Sequence, residues 1–463
     1  MSAKAARTAL LSVLSVAALA LSGCATGQAN HQTTSSSFDS SAQLKGKLTV
    51  MGFGTGDEVA TTRFDNAKAA LSGVQVNLLK GSLDIQQFLS SVASGQSPDI
   101  IYGDRGQIDS FAARGAVIPL DDCISGEKID TSSFRKTALD QVSLNGHVYG
   151  IPEFNQVEIT MANPVLLKQA GLDMADIDGS SWDKITAASQ SLSKTKDGKL
   201  AVIGYDSKLP DFFPLWVKAN GGSLISDDGK KATLDSPEVV QALTFAAAIY
   251  QKQGGFGAVK AFRDSADFFG KGNQFASNTL GAMAMEQWYV NILNDVSPKA
   301  DVDFTTFKDR QGAPLSFSSG SAWAIPKGSP NPGAACRFAK SMTSTDSWMK
   351  AAAARVQARE KDGKPFTGLF TGNQMADQKI KDQFVKADPA TNWGRAIEAS
   401  YTANESSFAY PANPAGAEFK TAWQDAVNHV INGQDQPASA LAKAQQVAQK
   451  ALDAGWAQLN GAG

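Results

Sequence analysis

Short apolar runs alternate with helix-like stretches through most of the chain, and this alternation limits the fold more than any other feature. The first run, 47–51, ends at a glycine-rich turn and is followed by a helix-like stretch at 58–71. An alternating strand at 74–79, a helix at 85–93 and a buried-looking run at 99–102 continue the pattern. Strands that alternate with helices usually pair in parallel, so the sequence predicts an α/β fold with doubly wound sheets.

A break at 146–152, which contains two glycines and a proline, separates this region from a second alternating region. The second region contains strand-like runs at 157–161, 281–285 and 319–325, and the chain is mostly helical beyond Asn331. The sequence therefore predicts two α/β units followed by helices. A plain turn inside a single domain is the alternative interpretation of the break.

The first 23 residues have the layout of a secretory signal peptide. Lys4 and Arg7 precede an apolar run at 9–21, which is shorter than the ~20 apolar residues that a membrane span needs. The run ends in Leu-Ser-Gly-Cys24, which resembles the lipobox of bacterial lipoproteins, where cleavage precedes an acylated cysteine. We therefore predict lipid attachment at Cys24 and an extracytoplasmic protein that is lipid-anchored to the cell membrane. An ordinary signal with a chance cysteine, or a short membrane anchor, is the alternative.

Residues 24–43 are rich in Ser, Thr, Gln and Asn and have few apolar side chains, so we predict a flexible tether. The remaining residues are enough for two domains. With 43% hydrophobic and 19% charged residues and a formal net charge of −2, the chain has the composition of an ordinary globular protein. It lacks the basic character that nucleic-acid binding favours, so no nucleic-acid partner is expected.

Residues with catalytic or metal-binding chemistry are few and poorly spaced. His31, His147 and His429 are the only histidines, and none has a metal-ligand spacing. No G-x-S-x-G motif occurs, and the glycines after the first strand do not form a dinucleotide-binding motif. We therefore expect no enzyme, no cofactor and no metal. Cys123 and Cys336 are expected either to form a disulfide or to be buried free thiols.

Several short motifs occur in an order that is typical of one protein family. They are PDII at 98–101, YGIP at 149–152, GAM at 281–283 before Trp288, and WAIPKGS at 323–329. Together, and behind a lipobox-like leader, they resemble the extracellular solute-binding proteins of ABC importers, in the carbohydrate-binding branch of maltodextrin and multiple-sugar type. The resemblance covers nearly all of the mature chain.

This resemblance implies a two-lobe, periplasmic-binding-protein-like fold of type II. Each lobe is then a doubly wound sheet flanked by helices, and the ligand binds in the cleft between the lobes. Lobe one is expected at 44–150 plus 314–344 and lobe two at 151–309 plus 345–463, with a hinge at 150–152.

The resemblance also implies a lipid-anchored, monomeric protein that captures a sugar or an oligosaccharide by hinge closure. It would deliver this ligand to the transmembrane subunits of an ABC permease. Two alternatives stay open: the same fold with a polyamine as ligand, and a secreted carbohydrate-active hydrolase or lyase.

A sugar presents hydroxyl groups at its edge and C–H faces above and below. Its site therefore needs carboxylates, amides and Arg for hydrogen bonds and aromatic rings for stacking. Ligands of doubly wound sheets bind beyond the carboxyl ends of the strands, so polar and aromatic residues at those ends are the candidates. The candidate ligand-binding residues are Thr55, Asp57, Asp104, Arg105, Glu153, Asn155, Glu286, Gln287, Trp288, Ser321, Trp323 and Tyr410.

Trp288 is the strongest of these candidates, because it occupies the position where the resembling sugar binders often carry a stacking tryptophan. Asp104 and Arg105 resemble an Asp-Arg pair of the maltodextrin binders, although the spacing from the strand differs slightly. Asp104 and Arg105 have the alternative role of a surface pair that caps the next helix. Polar residues just past the hinge have the alternative role of bonding the crossover backbone, and Trp323 has the alternative role of a core residue.

Overall fold

The computed structural model describes residues 38–461, so the predicted signal peptide, Cys24 and most of the predicted tether lie outside the described residues. None of the described helices is long and apolar enough to cross a membrane. The strands are β1 Gly46–Phe53, β2 Val74–Lys80, β3 Ile100–Asp104, β4 Ser143–Leu144, β5 His147–Val148, β6 Ile151–Gln156, β7 Glu158–Ala162, β8 Lys194–Lys196, β9 Lys199–Asp206, β10 Leu280–Glu286, β11 Asp303–Thr305, β12 Ser316–Phe317, β13 Ser319–Ala324 and β14 Ser407–Phe408.

Helices connect and cover these strands. The α-helices are α1 Glu58–Ala70, α2 Ile85–Ala93, α3 Arg105–Ala113, α4 Asp121–Gly126, α5 Lys136–Asp140, α6 Pro164–Gln169, α7 Trp182–Leu192, α8 Phe213–Ala219, α9 Pro237–Gln251, α10 Phe256–Asp264, α11 Tyr289–Val296, α12 Pro332–Thr343, α13 Thr345–Lys361, α14 Gln374–Phe384, α15 Asn392–Glu405, α16 Gly416–Ile431 and α17 Pro437–Gly461. Short 3₁₀ helices lie at Thr131–Ser133 and Met174–Asp176.

The predicted α/β class with two sheets is confirmed. The first sheet has the strand order β2-β1-β3-β13-β6, and the second has the order β11-β7-β10-β9-β8. The runs predicted as the first strands and helices correspond to β1, α1, β2, α2 and β3. We refer to each sheet with its flanking helices as lobe one and lobe two.

Both sheets are mixed rather than wholly parallel. In lobe one, β1 pairs in parallel with β2 and β3, whereas β13 is antiparallel to both β3 and β6. In lobe two, β10 is parallel to β9 and antiparallel to β7. β11 is also antiparallel to β7, and β8 is antiparallel to β9. The strands β6, β7 and β13 adjoin the points where the chain passes between the sheets and therefore do not follow a βαβ unit.

The chain first leaves lobe one at Val157 rather than at the predicted break. β6 pairs with β13 in the first sheet, and β7, which starts one residue after Val157, pairs with β10 in the second. The break at 150–152 has another physical origin. A Cβ at Gly150 would lie 3.2 Å from the Cβ of Ala322 and 3.3 Å from that of Val142, so the glycine allows β6 to pack closely.

The helices after β13 divide between the lobes. Trp348 of α13 and Ile380 of α14 pack with Val59 of α1, so these two helices lie with lobe one, although the sequence placed them with lobe two. Side chains of α15, α16 and α17 belong to the large core of lobe two, which contains Trp216 and Trp423. Local sequence cannot show which sheet a helix covers, because each helix carries only one apolar face.

Cys123 and Cys336 form a disulfide, which decides between the two alternatives for these residues. The bond joins α4 to α12, and both cysteines are fully buried in the core of lobe one. It links positions 213 residues apart in the sequence. A crosslink over so long a segment restricts the unfolded chain strongly.

Replacing both cysteines by serine should lower the free energy of unfolding by about 2–5 kcal/mol. The cause is the restored conformational freedom of the unfolded chain, together with two buried hydroxyl groups. Urea unfolding, followed by tryptophan fluorescence with and without dithiothreitol, measures the effect. The reductant should weaken the parent and leave the double variant unchanged; equal midpoints for parent and variant would contradict the prediction.

Candidate functional site

Two cavities of about 580 Å³ each lie between lobe one and lobe two. Gln156, the last residue of β6, lines both cavities, so they are neighbours in the cleft between the lobes. We name the first part, which contains Trp288, the tryptophan chamber. We name the second part, which contains Glu286, the acidic chamber.

The carboxyl ends of the central strands point into this cleft. Asp57 follows β1, Asp104 ends β3 and Glu286 ends β10, and each of these residues lines one of the two chambers. This is the edge at which open α/β sheets bind their ligands. The fold therefore brings polar side chains from both lobes to one place.

Trp288 is half-buried and lines the tryptophan chamber at the start of α11. Its indole N–H donates a hydrogen bond to Oε2 of Glu286, which fixes the ring. Asn155, Gln287 and Ser321 line the same chamber. A held indole beside amide and hydroxyl groups suits the faces and edges of a sugar ring.

Asp57 lies on the lobe-one wall of the tryptophan chamber, where much of its hydrogen-bonding capacity is used. Its Oδ1 accepts a bond of 2.7 Å from the backbone N–H of Ala60 and caps α1. Its Oδ2 accepts a bond of 2.7 Å from Nη2 of Arg355, which also lines the chamber. Thr55 is half-buried but is not among the lining residues of either chamber.

Arg105, Asn155 and Gln287 hold the crossover between the lobes. Nη2 of Arg105 donates a bond of 2.7 Å to Oδ1 of Asn155, and burial lowers the pKa of this guanidinium to about 9. Oε1 of Gln287 accepts a bond of 2.8 Å from the backbone N–H of Val157, and its Nε2 donates to the carbonyl of Asn155 at 3.1 Å. Arg105 lines neither chamber and is fully buried, so it is neither at the cleft surface nor in a surface pair with Asp104, and it supports the crossover instead.

Glu153 and Trp323, which the sequence places at the cleft, are instead buried in the core of lobe one. Glu153 faces α1, where it forms a fully buried ion pair with Arg63 and accepts a hydrogen bond from the hydroxyl of Tyr102. Trp323 packs against Phe53, Tyr102 and Phe338, with ring centroids about 5 Å apart. Both side chains point to the face of the sheet that α1 and α12 cover.

The acidic chamber is lined by carboxylates from both lobes. Asp104 is exposed there and caps α3 with its backbone but not with its side chain. Burial, together with the nearby Asp211 and Asp104, raises the pKa of Glu286. Burial and the neighbouring Glu286 raise the pKa of Glu158 to about 8, so Glu158 is mostly protonated at neutral pH.

Tyr410 and Asp109 also line the acidic chamber. Tyr410 packs on Phe317 with ring centroids 5.5 Å apart, and burial raises the pKa of its hydroxyl. Burial raises the pKa of Asp109 to about 7, and this carboxylate accepts a bond of 3.0 Å from the backbone N–H of Asn413. Asp109 lies in α3 of lobe one and Asn413 just before α16 of lobe two, so this bond crosses the cleft.

Further contacts between the lobes flank the tryptophan chamber. Arg359 of α13 forms an ion pair with Asp295 at the end of α11, and Lys364 contacts the same carboxylate at 3.1 Å. Thr367 donates a hydrogen bond to Asn291. At the far side of the acidic chamber, Arg114 of α3 pairs with Glu418 of α16 at 2.6 Å. The lobes therefore touch on both sides of the cleft and enclose the space between them.

Several residues that line the chambers were not predicted from the sequence, among them Gln156, Glu158, Asp109 and Arg355. Glu158 could have been predicted, because it is the one charged residue of the otherwise apolar or hydroxyl-bearing strand β7. Arg355 could not have been predicted, since α13 was assigned to the other lobe. Among the described residues, no group of His, Cys, Asp and Glu side chains is arranged to hold a metal ion.

Replacing Glu158 by Gln should change how stability depends on pH. The folded protein holds this proton up to about pH 8, whereas an unfolded chain releases it near pH ~4.3. Between these values the folded state binds more protons, so this group makes the free energy of unfolding fall as pH rises. The parent should therefore lose stability relative to Glu158→Gln from about pH 5 to about pH 8.

Urea unfolding of both proteins at several pH values in this window measures the difference. Taking the difference between parent and variant cancels other buried acids, such as Asp109 and Asp377, which both proteins share. A difference that stays constant across the window would contradict the raised pKa of Glu158.

The chain is similar to known proteins in sequence and in fold. A family model described as bacterial extracellular solute-binding protein matches residues 68–349. The lactose-binding protein of Rhizobium radiobacter is 27% identical over 179 residues, which cover 37% of this chain and 40% of that protein. The maltooligosaccharide ABC transporter solute-binding lipoprotein of Streptococcus pneumoniae (strain ATCC BAA-255 / R6) is 23% identical over 360 residues, which cover 73% of this chain and 77% of that protein.

The match therefore spans less than half of the first relative and about three quarters of the second. Among solved structures, an ABC substrate-binding protein from Listeria monocytogenes in complex with cycloalternan superposes with a TM-score of 0.70 at 19% identity. That superposition covers 89% of this chain and all of the other. At this identity the likeness establishes a shared two-lobe fold.

Proposed function

Because the chain belongs to the bacterial extracellular solute-binding proteins, we propose that it captures a sugar or an oligosaccharide between its lobes and delivers it to an ABC permease. The lining of the cleft is the observation that best supports a sugar as the ligand. It offers the held indole of Trp288 in one chamber and the carboxylates of Asp104 and Glu286 in the other. The relatives named for lactose and maltooligosaccharides support the same ligand class.

The mechanism that we propose is closure of the lobes about the crossover. We assign residues 44–156 and 318–384 to lobe one and residues 158–315 and 392–459 to lobe two. Val157 and the segment near Ser318 then lie at the hinge, where a few residues absorb the backbone change. A ligand drives closure only if it binds the closed state more tightly than the open one. A sugar that touches Asp104 of lobe one and Glu286 of lobe two meets this condition.

We also propose that Cys24 carries lipid and that the protein works as a monomer outside the cell membrane. The pneumococcal relative is named a lipoprotein, and the leader of this chain ends in a lipobox-like motif. A tether over residues 24–43 would hold the cleft near the permease at a raised effective concentration. The closed lobes together would form the surface that the transmembrane subunits recognise.

We propose further that the protein binds its ligand without catalysis. The acids of the acidic chamber include Glu158 and Glu286, which are cross-strand neighbours in β7 and β10. Both lie in lobe two, so this pair does not flank a bond of a ligand held between the lobes as a glycosidase pair does. Asp104 and Glu286 do face such a ligand from both lobes, so product analysis must decide whether they act on it. Incubation of the mature protein with the sugars named below, followed by product analysis, should show no turnover.

A ligand panel tests the proposed function directly. We expect lactose or a maltooligosaccharide to raise the melting temperature by several degrees, because a ligand at 100 times its Kd adds about 2.7 kcal/mol of stability. Differential scanning fluorimetry of the mature protein measures the shift, with putrescine and spermidine in the same panel. A shift with a polyamine and none with any sugar would reject the carbohydrate assignment, and turnover of a glycan would reject the binding role.

Replacing Trp288 by Ala should weaken sugar binding roughly tenfold or more, because the variant loses the stacking surface of the tryptophan chamber. Isothermal titration calorimetry with the best sugar of the panel measures the Kd. Trp182→Ala is the matched control, since Trp182 is a half-buried tryptophan of the same lobe that lines neither chamber. Equal affinities for parent and Trp288→Ala would remove Trp288 from the site.

A further inference from the structure

Phe269 has the most exposed large hydrophobic side chain of the described residues, with 63% of its surface accessible. It lies in the loop between α10 and β10 and neighbours Trp288, the half-buried tryptophan of the cleft. A phenyl ring left in water loses the free energy that burial would give it. Single exposed apolar residues on a protein surface need no explanation, but Phe269 lies beside Trp288 of the tryptophan chamber, and this position indicates a role.

The loop that carries Phe269 is fastened on both sides of this residue. The ring of Phe268 stacks on Tyr289 with centroids 4.2 Å apart and an angle of 10°. The hydroxyl of Tyr289 donates a bond of 2.8 Å to the carbonyl of Phe268. On the other side, the side-chain amide of Asn273 donates a bond of 2.9 Å to the carbonyl of Gly270. The backbone of Phe269 is therefore held in place while its ring stays exposed.

The rings of Phe269 and Trp288 are nearly parallel, with an angle of 13° and centroids 6.2 Å apart. Parallel rings in full face contact lie about 3.5–4 Å apart, so these two rings are strongly offset. Offset rings leave part of each face free. Phe269 lines neither chamber, so its exposed ring lies outside the tryptophan chamber and next to the ring of Trp288.

We propose that Phe269 is the outer half of an aromatic platform for an oligosaccharide that extends out of the tryptophan chamber. This inference rests on the proposed function, and it adds the length of the ligand. One sugar unit packs at Trp288, and the next unit along the chain packs its C–H face on Phe269. Flat apolar faces of neighbouring sugar units match two offset rings in a way that a single monosaccharide does not.

A single exposed ring fits a sugar better than a protein partner. A stable protein interface buries about 800 Å² on each side and has an apolar core of several residues. The other aromatic residues of this loop, Phe268 and Phe275, are not available for such a core, because Phe268 packs on Tyr289 and Phe275 is buried. One exposed ring beside Trp288 has the size of one sugar unit.

Isothermal titration calorimetry with maltose, maltotriose and maltotetraose, and in parallel with mannobiose and mannotriose, tests this inference on the mature protein. We expect Phe269→Ala to weaken binding of the longer sugars of the series that binds by roughly three- to tenfold, since an aromatic contact contributes about 0.5–1.5 kcal/mol. Binding of the disaccharide should change less than about twofold. Phe269→Trp should retain the parent's preference for length, and Met375→Ala, which removes another exposed apolar side chain, should match the parent.

The outcomes separate the two proposals. If the parent binds sugars but Phe269→Ala binds every length as tightly as the parent, the platform is wrong and the sugar-binding function stands. The platform is also wrong if the parent gains no affinity beyond the disaccharide, or if Phe269→Ala weakens all lengths equally. If the parent binds none of these sugars or lactose, the proposed function and the platform fail together. If parent and Phe269→Ala differ only in self-association, measured by analytical ultracentrifugation, Phe269 contacts a second copy of the chain and the platform is overturned.

Discussion

The amide of Asn155 connects the three passes of the chain between the lobes. Asn155 lies near the end of β6, on the first pass. Its Oδ1 accepts a hydrogen bond of 2.7 Å from Arg105 and another of 2.7 Å from Ser318, which lies on the second pass. Its Nδ2 donates a bond of 2.7 Å to Asn404 of α15. This helix follows the third pass, between α14 of lobe one and α15 of lobe two. A buried amide whose donors and acceptor are used in this way fixes the position of all three segments at once. The cleft has its shape because these segments meet here.

The same network continues into the helices behind the hinge. Asn404 donates a bond of 3.0 Å to Asp377 of α14, and Asp377 pairs with Arg135 at 3.0 Å. Removing one member of such a chain leaves another buried polar group without a partner, which costs more than the lost bond itself. Arg105 extends this network to the start of β13, because its Nη2 also donates to the backbone carbonyl of Ser319. The segments that join the lobes are therefore held by buried side chains as well as by the sheets.

The sequence predicts well what depends on local pattern and poorly what depends on the covering element. The alternation of apolar runs with helices predicted the α/β sheets, whereas Trp288 was predicted as a cleft residue from the resemblance to sugar binders and not from local pattern. The predicted cleft positions of Glu153 and Trp323 were wrong for one shared reason. Strand periodicity shows that neighbouring side chains face opposite sides of a sheet, but it does not show which side the helices α1 and α12 cover. The pairing of Cys123 with Cys336 likewise depends on the packing of α4 against α12, which no spacing along the chain reveals.

The division of the cleft into two chambers follows from this arrangement and sets the chemistry of each part. Trp288 is fixed through Glu286, whose carboxylate belongs to the other chamber, so the stacking surface and the acidic lining depend on each other. Burial raises the pKa of both Glu286 and Glu158, and protonation of Glu286 would weaken its hydrogen bond to the indole. Gln156 stands between the chambers as a neutral amide that both donates and accepts. A ligand that spans both chambers therefore contacts the indole of Trp288, the amide of Gln156 and the carboxyl groups of Glu286 and Asp104. These groups supply the stacking face and the hydrogen bonds that a chain of sugar rings needs.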